Sequence, residues 1–173
     1  APAQMTLDPE TANGRLYLSE DCKSVRWDRL QQDLPSNPRR FKILSCVLGS
    51  RGFTSGRQSW DVEFHREGTW GIGVAKESVP KDRIFHLKAK DGVWALSHNR
   101  NGYMALTSPD VTPLALHRVP KRVRICLDYK EGRVVFFDAE SREQIFAFPK
   151  ASFRGERVFP WFMLGGDTHL KLL

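Results

Sequence analysis

The sequence predicts an all-β chain folded as an antiparallel sandwich, and three observations carry that prediction. Apolar and polar residues alternate with period two in short runs, which sets successive side chains on opposite faces of a sheet. Turn-forming residues separate the runs, and helical periodicity is scarcely visible. The number of runs suits two packed sheets.

Taken in order, the first strands are predicted at Arg15 to Ser19, Ser24 to Trp27 and Cys46 to Ser50. Between the second and third, Asp33-Leu-Pro-Ser-Asn-Pro38 reads as a Pro-bearing connection, too short to be a domain boundary. Gly52 and Gly56 bracket a tight connection into Trp60-Asp-Val-Glu-Phe64. There Trp60, Val62 and Phe64 share one face, so the carboxylates of Asp61 and Glu63 face out. Strands follow at Thr69 to Ala75, Val93 to Ser97 and Tyr103 to Thr107, the last two joined by a hairpin at Asn99-Arg-Asn-Gly102. Arg122 to Asp128 and Arg133 to Asp138 form another hairpin, with Gly132 suited to positive φ. Gln144 to Phe148, Val158 to Met163 and His169 to Leu172 complete the series. Trp60, Trp70 and Trp94 have the bulk to fill an intersheet core.

A chain of 173 residues buries roughly 70% of its unfolded surface, enough for a core without staples. With 40% hydrophobic and 27% charged residues it has the composition of an ordinary globular protein. No apolar run approaches the roughly 18 residues of a membrane span, and Ala1 to Pro9 does not read as a signal peptide. Cys22, Cys46 and Cys126 are odd in number and lack CxxC spacing, which argues for reduced thiols over disulfides or zinc. Cys126 reads as a small side chain packed in its strand. The net charge of +7 invites a nucleic-acid or membrane partner. However, the basic residues are spread over Arg39 to Lys42, Lys76 to Lys90 and Arg118 to Arg124, and a solvated surface explains most of them.

Nothing nominates an enzyme. There is no GxSxG elbow, HExxH pair or P-loop, and the histidines at 65, 86, 98, 117 and 169 lack metal-ligand spacing. No catalytic residue, metal site or cofactor is expected. Gly71-Ile-Gly73 lies inside a strand, without the third glycine or the helix of a dinucleotide fingerprint. Asp61 and Glu63 read as solvated neighbours, not an acid/base pair.

Several motifs are specific. Leu7-Asp-Pro9, Thr11-Ala-Asn13, Leu18-Ser-Glu-Asp21, Asp33-Leu-Pro35 and Arg40-Phe41 resemble a PRY segment. Val47-Leu-Gly49, Gly52-Phe-Thr-Ser-Gly-Arg57, Trp60-Asp-Val-Glu63, Trp70-Gly-Ile-Gly-Val74, Gly92-Val-Trp94, Leu127-Asp-Tyr129 and Val158-Phe-Pro160 resemble SPRY, in order and at family-like intervals. Lys130 departs from the glutamate usual in the family. The resemblance covers essentially the whole chain. It implies one PRY-SPRY domain over 1–173, with PRY at about 5–50 and SPRY at about 51–173, folded as a bent, concanavalin-like jelly-roll sandwich.

PRY-SPRY domains end many tripartite-motif (TRIM) ubiquitin ligases and the cytoplasmic tails of butyrophilins. The resemblance therefore implies a cytoplasmic module that binds a protein or peptide through loops at one rim, without membrane insertion. It further implies a parent protein made oligomeric by other regions, with any ligase activity in a RING domain elsewhere. Carried over by position, the binding residues are Leu44, Cys46, Gly71, Leu87, Ser97, Asn99, Tyr103 and Met163. Arg83, His86 and Arg100 form a basic rim. Gly71 is expected to leave the pocket floor open and uncharged. Two alternatives stand beside this reading: RNA binding through Arg118, Lys121 and Arg122, and butyrophilin-type ligand sensing. The subtype sensing phosphorylated isoprenoids lacks its basic groups here, since Gly71 and Met104 stand where it needs histidine and arginine.

Overall fold

A computed structural model describes residues 5–173; the first four residues of the Ala1 to Pro9 stretch, read above as unlike a signal peptide, lie outside them. Thirteen strands form among the described residues. They are β1 (Leu16–Leu18), β2 (Ser24–Trp27), β3 (Cys46–Leu48), β4 (Arg57–Arg66), β5 (Trp70–Lys76), β6 (Val93–Asn99) and β7 (Gly102–Ala105). After these come β8 (Thr112–Leu114), β9 (Arg122–Asp128), β10 (Arg133–Asp138), β11 (Gln144–Phe148), β12 (Val158–Leu164) and β13 (His169–Leu172). The only helical piece among the described residues is a 3-10 turn at Ala89–Asp91. The fold is an all-β sandwich.

All pairings are antiparallel, in a seven-stranded sheet ordered β1-β2-β13-β4-β9-β10-β11 and a six-stranded sheet ordered β3-β12-β5-β6-β7-β8. β2, β9, β10, β11 and β13 have the predicted bounds. The predicted run from Tyr103 to Thr107 stops at Ala105; the Leu106 N–H still donates to the Ala95 carbonyl of β6 at 2.9 Å, but its own carbonyl accepts from Ala89 as the chain turns toward β8. β8 itself was not predicted, because its Pro113 removes a ladder donor and reads as a breaker.

The intersheet core contains Trp60, Trp70 and Trp94 together with Val62, Ile72, Val74, Ile125, Phe136, Phe162 and Leu170. A second apolar layer lies on the opposite side of the six-stranded sheet. It joins Cys46, Leu48, Ala75, Val93, Ala95, Phe159 and Trp161 to Phe41, Val79 and Leu106. Consequently β5 is buried on both faces and does not alternate as its sequence suggests.

Two of the four sheet edges, β3 and β1, are covered by irregular segments. Residues 7–13 run along β3, where the N–H groups of Asp8 and Asn13 donate to the carbonyls of Leu48 and Cys46 at 2.9 and 3.1 Å. Residues 28–32 cover β1, with the Asp28 and Gln32 N–H groups donating to Arg15 and Gly14, and Tyr17 hydroxyl donating to the Leu30 carbonyl at 2.5 Å. Covering or shortening an edge removes a template for aggregation.

At the end of β10, Asp138 is only 4% exposed. Its carboxylate accepts the N–H groups of Glu140 and Ser141 at 3.0 and 3.2 Å and Arg118 Nε at 3.0 Å. Burial, the largest single influence, pushes this carboxyl up, but the two amides and the guanidinium together outweigh it and hold it below its ordinary value. The unfolded chain therefore takes up the proton first as pH falls. The stability Asp138 contributes is complete above the ordinary carboxylate range and disappears as pH drops through its folded value. Asp138→Ala is expected to cost about 1–3 kcal/mol at neutral pH and to flatten the loss of stability below about pH 4, measured by urea unfolding across a pH series.

Candidate functional site

Strand register brings distant residues together on the outer face of the six-stranded sheet. Cys46 in β3 lies opposite Met163 in β12, Met163 opposite Gly71 in β5, Gly71 opposite Ser97 in β6, and Ser97 opposite Met104 in β7. Residues directly opposite one another in antiparallel strands share a face, so these five form one row across the sheet. Leu44 precedes the row by two residues and packs on the same layer, as do Leu87 and Phe85 from the connection between β5 and β6. Asn99, two positions beyond Ser97, continues the face to the hairpin, where its side-chain oxygen accepts the Asn101 N–H at 2.8 Å.

Seven of the eight carried-over residues thus lie on this side; Tyr103 does not. The two-residue turn Arg100-Asn101 pairs Asn99 with Gly102, which sets Tyr103 opposite His98 and leaves Met104 opposite Ser97. Tyr103 packs toward the intersheet core, its ring centroid 4.5 Å from His98 and 6.2 Å from Trp70, and its hydroxyl donates to Glu67 at 2.7 Å. Burial and the Glu67 carboxylate both push its phenol pKa up. Met104 takes the place assigned to Tyr103, and counting residues back from the hairpin would have found it.

The floor also departs from expectation. Gly71 does not leave an opening: an ideal Cβ there would lie 2.9 Å from Cζ3 of Trp161, whose ring fills the space. Trp161 and Cys46 are fully buried, so they support the surface from beneath without lining it. Burial pushes the Cys46 thiol far above its usual range, offset only partly by the neighbouring Trp161 indole. Leu44, Phe85, Leu87, Met104 and Met163 are half-buried and mark where the covering segments stop.

Those segments are tied together. The Lys42 N–H donates to the Lys81 carbonyl at 2.8 Å. The Lys81 ammonium donates to the carbonyls of Glu77 and Val79 at 2.7 and 2.9 Å and sits 5.7 Å over the Phe41 ring. Burial lowers its pKa, the Glu77 carboxylate counteracting. From the same two segments Ile43 and Ile84 project into solvent, 54% and 71% exposed. Sequence reasoning missed both, although isoleucines flanked by lysine or arginine in connections are a usable signal of an apolar contact. Arg83, His86 and Arg100 are exposed, with Arg83 paired to Asp82 at 3.1 Å. Among the described residues no group of three histidine, cysteine or acidic side chains could hold a metal ion, and no helix is long and apolar enough to cross a membrane.

Comparison with known proteins follows from this geometry. The family model of the SPRY domain matches residues 57–173, and that of PRY, the SPRY-associated domain, matches residues 5–53. The chain belongs to the PRY-SPRY family. Among its relatives, E3 ubiquitin-protein ligase TRIM15 of Sus scrofa is 48% identical over 160 residues, covering 91% of this chain and 34% of that protein. Butyrophilin subfamily 1 member A1 of Bos taurus is 44% identical over 160 residues, covering 92% and 30%. Zinc finger protein RFP of Homo sapiens is 44% identical over 173 residues, covering 98% and 33%. This PRY-SPRY chain therefore spans about a third of the length of these relatives. Among solved structures, stonustoxin superposes with a TM-score of 0.86 at 27% identity, over 99% of this chain and 29% of that one. The TRIM65 PSpry domain superposes with a TM-score of 0.83 at 21% identity, over 99% and 90%, and shares the fold.

Two outcomes are expected from the floor. Gly71→Ala should displace the Trp161 ring and cost about 1–3 kcal/mol, read by urea unfolding and by a change in native tryptophan emission. In native protein, iodoacetamide should alkylate Cys22 and Cys126 well before Cys46, as mass spectrometry of timed digests will report; equal labelling would mean that the floor opens.

Proposed function

We propose that this PRY-SPRY chain is a recognition module that recruits a protein partner by seating an apolar anchor of a peptide segment on the outer face of the six-stranded sheet. The observation that carries the reading is the cross-strand row ending in Met163 and Met104, bordered by Leu44, Phe85 and Leu87 over a packed floor. A rigid floor with half-buried apolar walls offers contact area without a large ordering cost on binding. Methionines adapt their shape to an anchor. Arg83, His86 and Arg100 at the margin steer acidic partners and act on the association rate more than on the lifetime.

The likeness to TRIM15 supports a parent protein of the TRIM ubiquitin-ligase type, for which this chain selects the substrate inside the cytoplasm. The transfer chemistry belongs to a RING domain outside these residues, and oligomerisation to other regions of the parent. The likeness to butyrophilins is nearly as close, 44% against 48% identity, but Gly71 and Met104 supply no charge for a phosphorylated small ligand. The RNA alternative loses Arg118, which is held by Asp138 and Glu140 at 3.0 and 3.6 Å.

A peptide-display selection tests the reading. Peptides sharing an apolar anchor should enrich on the parent chain, and Leu87→Arg or Met104→Glu should weaken them at least about tenfold. Tyr103→Phe should leave binding intact while costing about 1 kcal/mol of stability through the lost Glu67 hydrogen bond. Equal enrichment on Leu87→Arg and Met104→Glu would remove the site from this face.

A further inference from the structure

The outer face of the seven-stranded sheet breaks the alternation that its neighbours keep. On β10, Val134 and Phe136 enter the intersheet core, yet the intervening Val135 and Phe137 are also apolar and stand half-buried on the solvent side. Register places Ala147 of β11, Val135, Cys126 of β9 and Ser59 of β4 in one row across this face. Charged rows flank it: Phe137, Arg124 and Asp61 on one side, and Arg133, Asp128 and Arg57 on the other. A solvent-facing strand that is apolar on both faces is the pattern of a covered surface.

Two adjoining depressions cross the face and share Cys126 and Phe137. One reaches Arg57 and Arg133, the other Arg124 and Arg142. Arg57 pairs with Asp128 at 3.0 Å, and Arg124 makes a two-pronged pair with Asp61 at 2.8 and 3.1 Å. Neither Arg133 nor Arg142 has a carboxylate partner among the described residues. Asp138 borders the second depression, but its oxygens are taken by Arg118 and the turn amides. Four guanidinium groups thus surround the apolar row, against three carboxylates, Asp61, Asp128 and Asp138, all already engaged.

We infer that this face is a second docking surface, distinct from the proposed recognition site on the other sheet, and that its occupant is an acidic peptide segment carrying an apolar anchor. The anchor covers Val135, Phe137 and Cys126 while flanking carboxylates reach Arg133 and Arg142, whose forked donors suit them. A nucleic-acid backbone would meet the arginines but has no use for the valine and the thiol at the centre. A second copy of this chain, at net charge +7, would bring positive face to positive face. The inference does not rest on the recognition site, and the two can fail separately.

Selection of a random peptide library on the intact chain and on Phe137→Asp, Arg133→Glu and Leu87→Arg variants tests it. Clones with aspartate or glutamate beside an aliphatic or aromatic residue that enrich on both the parent and Leu87→Arg, and so do not use the recognition site, should disappear on the two outer-face variants. A synthetic copy of a recovered clone should bind at least about tenfold more weakly to Phe137→Asp and lose affinity as salt rises. Thermal melts check folding, and should Phe137→Asp fail to fold, the exposed Arg133→Glu decides. Absence of such clones on Leu87→Arg, or retention of those clones on the outer-face variants, overturns the inference. So does a dimer in sedimentation velocity that Phe137→Asp dissolves, or displacement of the peptide by polyuridylate, since either assigns the face to another occupant.

Discussion

The contact between the bare backbone of β5 and the ring of Trp161 is the constraint on which the rest of the six-stranded sheet depends. The Trp161 ring can approach the neighbouring strand this closely because Gly71 carries no side chain there. Gly73 approaches its neighbour more closely still, since a Cβ there would fall 2.1 Å from the Trp94 carbonyl oxygen. On the opposite face of the same strand, Trp70, Ile72 and Val74 fill the space between the sheets. One short strand therefore divides two apolar layers, presenting bulky side chains to one and only two glycines and the Ala75 methyl to the other.

This division explains how an irregular surface is held in position. The row from Cys46 to Met104 is set by backbone hydrogen bonds between five strands, so its spacing does not depend on the loops. The walls come from segments without regular structure, fastened by the Lys81 ammonium and the Lys42 amide. Floor and wall thus have separate origins, and substitution in a wall leaves the floor where it was.

The sandwich was legible because alternation and turn residues are local properties. β9, β10 and β11 could be bounded by inspection, down to the glycine at positive φ between the first two. β8 was not, since three residues around a proline carry too little pattern. The site was legible as a set of positions but not as a surface. The sequence grouped Leu44, Leu87 and Met163, which do share one side of the sheet, yet the choice between Tyr103 and Met104 depends on the register of one hairpin. That Gly71 is covered depends on the ring of a residue ninety positions away, which no local pattern reports. The apolar outer face of β10 was visible in Arg133-Val-Val-Phe-Phe-Asp138 and was passed over, because a run apolar on both faces looks like any buried strand.

The covers along the sheet edges bear on what the name PRY-SPRY denotes. The two family models meet between residues 53 and 57, but the molecule has no seam there. Residues before that point supply β1 and β2 to one sheet and β3 to the other, together with Leu7, Leu16, Val25 and Val47 of the common core. They also form the selvedge that finishes β1 and β3. The division is one of sequence description: both stretches contribute strands to both sheets, and their apolar side chains meet in one cluster, as warp and weft share one cloth.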